Sequence, residues 1–455
     1  MRSALLDRAF LVADSAENLA LLRIATGLAL LGSGDLYAAR HVVALPPLLR
    51  TAPAALSPLL GLLPISAAWV DAAVLVCAAA AILGTLGLWA RPAFAVAAIA
   101  GFYALGVGQL GGAVWHCHHL IWFALLLSCS PASDALSVSA LLRKRRDGGG
   151  SLAPSICYGL PLRIGWALLA AIFFFPGLWK LRESGLAWIF SDNLRNQMHW
   201  KWLQMGGYLP PLRIDRFPIL CQLMAGAVVL FELLFPLLIF VRRTRPFAVL
   251  AALLFHAATW LYMGIDFSCL WPFYIALIDG SRVLKRLKKS DGKERLRTPA
   301  HRLWPSALMG VLLLLGSVRA GWRGQLSSWP FACYPTFQWR AGAAMPVLLT
   351  VLVQPDGRQL ELPRPWQLGR LAGPRLVALS WSLIGVGLDR GGVDPQRLRL
   401  YWQQLAAEPQ VRALLAAPQA RYKAVRFYRA TLEVDPARWS QPPAAQTQLA
   451  ELPID

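Results

Sequence analysis

Few side chains in this 455-residue chain stand where they could move protons in dry surroundings. Lys180 closes an apolar run in FFFPGLWKLRESG, and three histidines cluster in Trp115-His116-Cys117-His118-His119. His256 lies within LLFHAATWLYMGIDFSCLWPF, Glu232 within LFELLFPLLIF, and Arg23 and Asp35 in the first apolar run. Ionisable groups inside apolar spans are expensive, so each raises a question of function. A lysine kept from water is driven toward its neutral amine, which can act as a base; its plain alternative is to snorkel to the headgroups. On a helix His116 and His119 share one face while His118 points elsewhere. No i,i+4 histidine pair and no adjacent carboxylate complete a metal set, so a pocket-lining role is the better reading of the cluster. For His256 the plain alternative is a packed helix contact. Glu232, with Asp35 and Arg23, reads as interhelical pairing that holds a bundle together.

The elements that must position these residues are membrane spans. The chain is 56% hydrophobic and only 15% charged, with a mean hydropathy of +0.48, which excludes an ordinary soluble domain of this size. About nine apolar segments are expected, at 17–37, 66–89, 92–112, 116–131, 162–180, 219–240, 246–265, 267–280 and 303–321, the fourth and eighth being short. The net charge of +21 resides in short runs between spans, which marks cytoplasmic loops and argues against a nucleic-acid partner. Arg143–Arg146, Arg242–Arg245 and the run from Lys285 to Arg297 all fall on one side, with the N-terminus inside. The basic start leads into a retained first span, with no clear cleavage site. Seven cysteines show neither a CxxC pair nor a disulfide framework.

Residues 1–321 therefore read as an all-α polytopic transmembrane helix bundle, and 322–455 as a small extracytoplasmic α+β domain. In the latter, 346–363 is a hairpin around Pro355-Asp356-Gly357, a helix starts at Asp394-Pro395, and 422–434 alternates as a strand. The aromatic stretch SSWPFACYPTFQWRA reads as an interfacial anchor where the chain leaves the membrane. The long outer loop 181–218, rich in tryptophan, reads as an amphipathic roof over a cavity.

The same residues resemble a known family. FFPGLWKLRESGLAW resembles the segment of vitamin K-dependent γ-glutamyl carboxylases that carries their catalytic lysine, matched here by Lys180. WHCHHLIWFALLLSCSPASDALSV is similar to the family's Trp–x–x–His segment, through Trp115, His118 and the acidic Asp134. LFHAATWLYMGIDFSCLWPF matches its Phe-His helix through His256, RIATGLALLGSGDLYAAR its first span, and FELLFPLLIF its acidic segment through Glu232. Residues from about 17 to 280 are thereby identified with the bacterial HTTM group, the horizontally transferred transmembrane domain related to these carboxylases. Residues 322–455 match nothing in the carboxylase region that grips a substrate propeptide.

The resemblance implies an integral membrane enzyme of the carbon–carbon lyase and monooxygenase type, in a bacterial inner membrane with its C-terminal domain periplasmic or extracellular. It implies that reduced vitamin K or a menaquinone-type hydroquinone enters from membrane lipid, with O2 and CO2 as co-substrates. Lys180 would be the base and His118 the group that guides carboxylation of a protein or peptide glutamate, while His256, Trp115 and Trp179 would line the hydroquinone site. A dry cavity suits such chemistry, because water quenches a carbanion. Two other classes stay open: a membrane scaffold that tolerates substitution of Lys180 and His118, and a transporter, which would show inverted repeats and interrupted helices.

Overall fold

The computed structural model describes residues 7–50, 62–111, 116–147, 151–282, 295–296, 302–326, 328–333, 337–364, 367, 373–386, 393–417 and 421–454. Seven helical stretches among them are long and apolar enough to cross a bilayer, so the chain reads as a multi-pass membrane protein. The first, Ala16–Val43, is α1 (Ala16–Gly32) followed by α2 (Gly34–Val43). The others are α3 (Ala67–Leu86), α4 (Ala90–Gln109), α7 (Ile156–Ser184, extended by a 3-10 turn to Trp188), α9 (Pro218–Phe240), α10 (Arg245–Met263) and α11 (Leu303–Trp322). Between them lie a short buried helix α5 (His118–Ser128), the basic α6 (Val138–Asp147) and α8 (Asn193–Gln204). Local chemistry sets the helix ends. Ser15, Ser66 and Ser155 accept from backbone N–H groups of the first turn, while Gly87 and Gly264 stop α3 and α10 at φ of 72° and 61°.

Two of the nine expected spans take other forms. The fourth is the 11-residue α5, about 16 Å long and almost wholly enclosed by neighbouring helices. The eighth, 267–280, is no α-helix: its middle is a 3-10 helix, Trp271–Leu277, with Pro272 in its first turn. It nevertheless runs from one end of the bundle to the other. The Cys269 carbonyl meets His119 Nε2 at 3.0 Å at one end. At the other, Asn18 Nδ2 donates to Asp279 Oδ1 at 3.2 Å and Ser281 N donates to Asn18 Oδ1 at 2.8 Å. Midway, Trp166 Nε1 donates to the Ala276 carbonyl at 2.7 Å. Irregular backbone at this depth persists only where protein supplies its partners, and here it does.

The two ends differ in charge. At one, Asp134 receives Arg302 at 2.9 Å, Tyr158 Oη at 3.0 Å and Arg143 at 3.4 Å. The same end gathers the exposed Lys144 and Arg145 of α6, and Arg245 packs 3.9 Å over the Trp166 ring. Of the third basic run, Lys285 to Arg297, all but 295–296 lies outside the described residues. The opposite end holds Lys180, α8 and the route to the C-terminal sheet.

That sheet has four antiparallel strands in the order β4-β3-β5-β6, formed by β3 (Ala344–Val353), β4 (Gln359–Glu361), β5 (Ala424–Glu433) and β6 (Ala445–Pro453). A two-residue parallel pair, β1 (Ser151–Leu152) with β2 (Arg295–Leu296), lies elsewhere in the chain. The hairpin turns at Gly357, φ 89°, and the helix at Asp394 starts with that carboxylate accepting from Gln396 N at 2.8 Å. One face packs on the helices Pro395–Ala406 and Pro409–Leu415, the other on Leu203 and Trp200 of α8. In the aromatic stretch before the sheet, residues 328–333 form a strap driven into the bundle and Phe337 meets Trp188, while Trp339 is 49% exposed. Trp329 is 1% exposed and donates to the Phe102 carbonyl, while Trp122 donates to Pro330 and Trp188 to Phe337.

Candidate active site in the bundle

Lys180 sits near the end of α7 with 5% of its side chain exposed, and its Nζ donates to both Glu232 oxygens, at 2.6 and 2.7 Å. Glu232 belongs to α9 and is equally enclosed, so the two charges face each other in a medium that would not tolerate either alone. Gly177 makes the approach feasible: a Cβ there would stand 2.9 Å from Glu232 Cβ, so any larger residue would push α9 away. One turn below Lys180, Pro176 deprives the Ile172 carbonyl of its helical donor, and both residues face the same space. The Trp188 ring lies 5.4 Å from Lys180 Nζ.

The pair opens onto a cavity of about 120 Å³. Apart from Lys180 and Glu232, its walls are mainly aromatic and aliphatic: Phe173, Phe255 and Phe267 around its middle, Met198 and Met224 higher up. His256 also lines it, 1% exposed, with Nε2 held 2.6 Å from Tyr274 Oη and Nδ1 without a partner among the described residues. The Phe267 ring lies 4.6 Å from that of His256 and 5.2 Å from that of His116. The cavity thus has a lysine–carboxylate pair and an imidazole in an aromatic box, which suits a flat ring carrying hydroxyl or carbonyl groups.

The segment 181–218 supplies the roof through Trp188, Leu194, Gln197 and Met198. Trp202 ties α8 to α10 by donating to the Tyr262 carbonyl at 2.7 Å. Asp215 fastens the roof from above: Arg213 reaches it twice at 2.8 Å and His199 Nε2 lies 3.1 Å away. Burial alone would raise the Asp215 carboxyl, but the Arg213 and His199 hydrogen bonds outweigh it and hold it below the usual range. Burial lowers the His199 imidazole in spite of Asp215.

Lys180 and His256 are brought to one cavity, as the chemistry of their types requires. His118 is not: its Nε2 lies 3.0 Å from the Ser328 carbonyl of the strap and its ring packs edge-on to Trp329 at 4.7 Å. The histidine of that cluster which lines the cavity is His116. The reason is local, since α5 begins only at His118 and His116 precedes it in irregular chain. Trp179 faces α11, donating to the Gly321 carbonyl at 2.7 Å, and does not line the cavity. Trp115 lies outside the described residues. Glu232 is paired with Lys180, not with Arg23, which binds the Ala132, Ala135 and Leu136 carbonyls at the basic end. Phe337 beyond the strap and Tyr274 of the irregular crossing carry no sequence signal for the site. Among the described residues no three His, Cys, Asp or Glu side chains converge as a metal set.

The family model for the HTTM domain matches residues 13–276, which takes in Lys180, Glu232, His116, His256 and Tyr274. The match ends before α11 and the strap. No curated protein and no solved structure matches the chain.

Proposed function

The chain belongs to the HTTM domain family, the membrane domain associated with vitamin K-dependent carboxylases, and on that premise we propose that it is a hydroquinone-dependent membrane carboxylase. The observation that carries the reading is the buried Lys180–Glu232 pair facing an apolar, aromatic cavity. A lysine and a carboxylate sharing protons across 2.6 Å form a neutral unit that can take one more proton. Accepting it from a hydroquinone hydroxyl leaves the unit with one positive charge beside one negative phenolate, so charge is matched in a dry site. His256 lines the same cavity as the pair and is the second polar side chain suited to orient the ring. Overall, a hydroquinone of vitamin K or menaquinone type, O2, CO2 and a glutamyl side chain of a protein or peptide would give the quinone epoxide, water and a γ-carboxyglutamyl group, with release of one proton. In this reading the basic end is cytoplasmic. The cavity and the C-terminal domain then face outward from a bacterial inner membrane.

A second reading has its own observation. Both Glu232 oxygens are already satisfied by Lys180, as in a pair that only staples α7 to α9 within a scaffold. Turnover separates the two. The purified protein in lipid nanodiscs should convert hydroquinone to epoxide, and the double variant Lys180→Met, Glu232→Leu, which leaves no stranded charge, should abolish this while staying folded. No hydroquinone turnover by the intact protein would remove the enzyme reading and leave the scaffold.

A further inference from the structure

We propose that Arg163 and Arg245 form a clamp for one phosphate group, that of an anionic phospholipid head, at the end of the bundle remote from Lys180. Both guanidiniums lie against a single ring: Arg163 stands 3.7 Å and Arg245 3.9 Å from the centroid of Trp166. Trp166 is itself fixed, 2% exposed, with Nε1 on the Ala276 carbonyl and its ring edge-on to Phe240 at 5.8 Å. The sum of the two centroid distances bounds the separation of the charges. They are near enough to repel each other, and near enough to grip oxygens of one phosphate. Along α7, Trp166 and Lys180 are about 21 Å apart, so this place is separate from the cavity.

Among the described residues no carboxylate pairs with either arginine. Arg163 Nε is buried without a partner there, and a buried guanidinium donor calls for an acceptor that the fold does not provide. Arg245 is held in place by donating from Nε to the Ile239 carbonyl at 2.8 Å, which leaves its outer N–H groups to a ligand. Two acids are within electrostatic reach, Asp14 and Asp279, but both are engaged elsewhere. Asp14 accepts from Ser15 N and Asn18 Nδ2, each at 2.7 Å, and Asp279 meets Arg282 Nε at 2.6 Å. Arg242, exposed in the turn before α10, adds a further positive charge. The surroundings select a lipid over free phosphate. Leu237 and Val241 at the end of α9 and Phe247 in the first turn of α10 are 66%, 52% and 71% exposed, on or beside helices long enough to cross a bilayer. An anion held at this level has acyl chains beside it and stays within the headgroup layer.

The test uses the full chain in detergent micelles, where native mass spectrometry counts the lipid bound at set concentrations of phosphatidylglycerol or phosphatidylcholine. One phosphatidylglycerol per chain, preferred over phosphatidylcholine, is the expected result. Arg163→Gln should weaken its binding about a hundredfold, since two charge-assisted hydrogen bonds are lost. Arg243→Gln, exposed in the same turn as Arg242, should cost no more than about fivefold. Equal losses in the two variants would show a diffuse basic surface and overturn the clamp. So would equal binding of the two lipids by the unaltered protein, a result that depends on no variant folding. Displacement of the lipid by inorganic phosphate would give the site to a soluble phosphate and overturn the lipid as its occupant. Hydroquinone turnover enters none of these arms, so the clamp stands or falls apart from the proposed carboxylase activity.

Discussion

Removing one member of the Lys180–Glu232 pair should be far more damaging than removing both. In Lys180→Met the Glu232 carboxylate stays 4% exposed and loses a donor that held it at 2.6 and 2.7 Å. Leaving one charge of a buried pair uncompensated costs about 3–5 kcal/mol. The double variant Lys180→Met, Glu232→Leu removes the stranded charge along with the attraction, and apolar replacement of a buried pair is commonly neutral or stabilising. The expected coupling between the two sites is therefore at least about 2 kcal/mol. Arg40 and Asp71 provide the control, because they meet at 2.8 Å with side chains 67% and 39% exposed. Breaking that pair should cost about 0–1 kcal/mol. Reversible SDS unfolding in mixed micelles reads Lys180→Met, Glu232→Leu, their double variant and Arg40→Met on one scale. If Lys180→Met is no worse than Arg40→Met, or if the double variant is as unstable as the single, the pair is not the enclosed unit on which the proton chemistry depends.

Gly177→Ala should lower hydroquinone turnover and stability together, by about 1–3 kcal/mol for the latter, because its Cβ would push Glu232 away from Lys180; unchanged values would show that α9 yields freely. Trp166→Phe should cost about 1–3 kcal/mol by orphaning the Ala276 carbonyl in the irregular crossing, and the same SDS titration reads it. The roof should loosen in acid in two steps. The His199 imidazole is lowered on folding, so its contribution is complete above the ordinary value of 6.5 and falls away as pH drops below it. The Asp215 carboxyl is also lowered, so its contribution holds above 3.8 and is lost as pH falls further. Amide hydrogen exchange along α8 in the otherwise unaltered protein should report both steps, since His199 and Trp202 pack at 5.1 Å there; His199→Gln should erase the upper one and keep the lower.

The sequence made some of this legible and concealed the rest for physical reasons. Lys180, Glu232 and His256 stood out because lipid-length segments do not carry polar groups without cause. Which helix Glu232 faces is a tertiary fact, set by Gly177 letting α9 close on α7, and no periodicity within either segment encodes it. His118 was named through the resemblance of its Trp–x–x–His segment, while the residue types alone left the cluster open; the member that lines the cavity, His116, stands in irregular chain just before α5 starts at His118. The segment 267–280 has a span's composition but too few residues for an α-helical crossing. A 3-10 path rises about 2.0 Å per residue against 1.5 Å, which lets a short piece reach across. The hairpin at Gly357 and the strand at 424–433 were readable from turn chemistry and alternation. The edge strand 445–453 was not, since six of its nine side chains are exposed and only its second half reaches the core, through Leu449, Ala450 and Leu452.

That irregular crossing also bears on how the protein is made. A stretch of 14 residues interrupted by Pro272 offers too little continuous helix to partition into a bilayer unaided. Its place exists only once α1, α5 and α7 present Asn18, His119 and Trp166 to receive it. A substitution at Trp166 that weakens this slot is therefore expected to lower the yield of folded protein during biosynthesis and not only its stability afterwards.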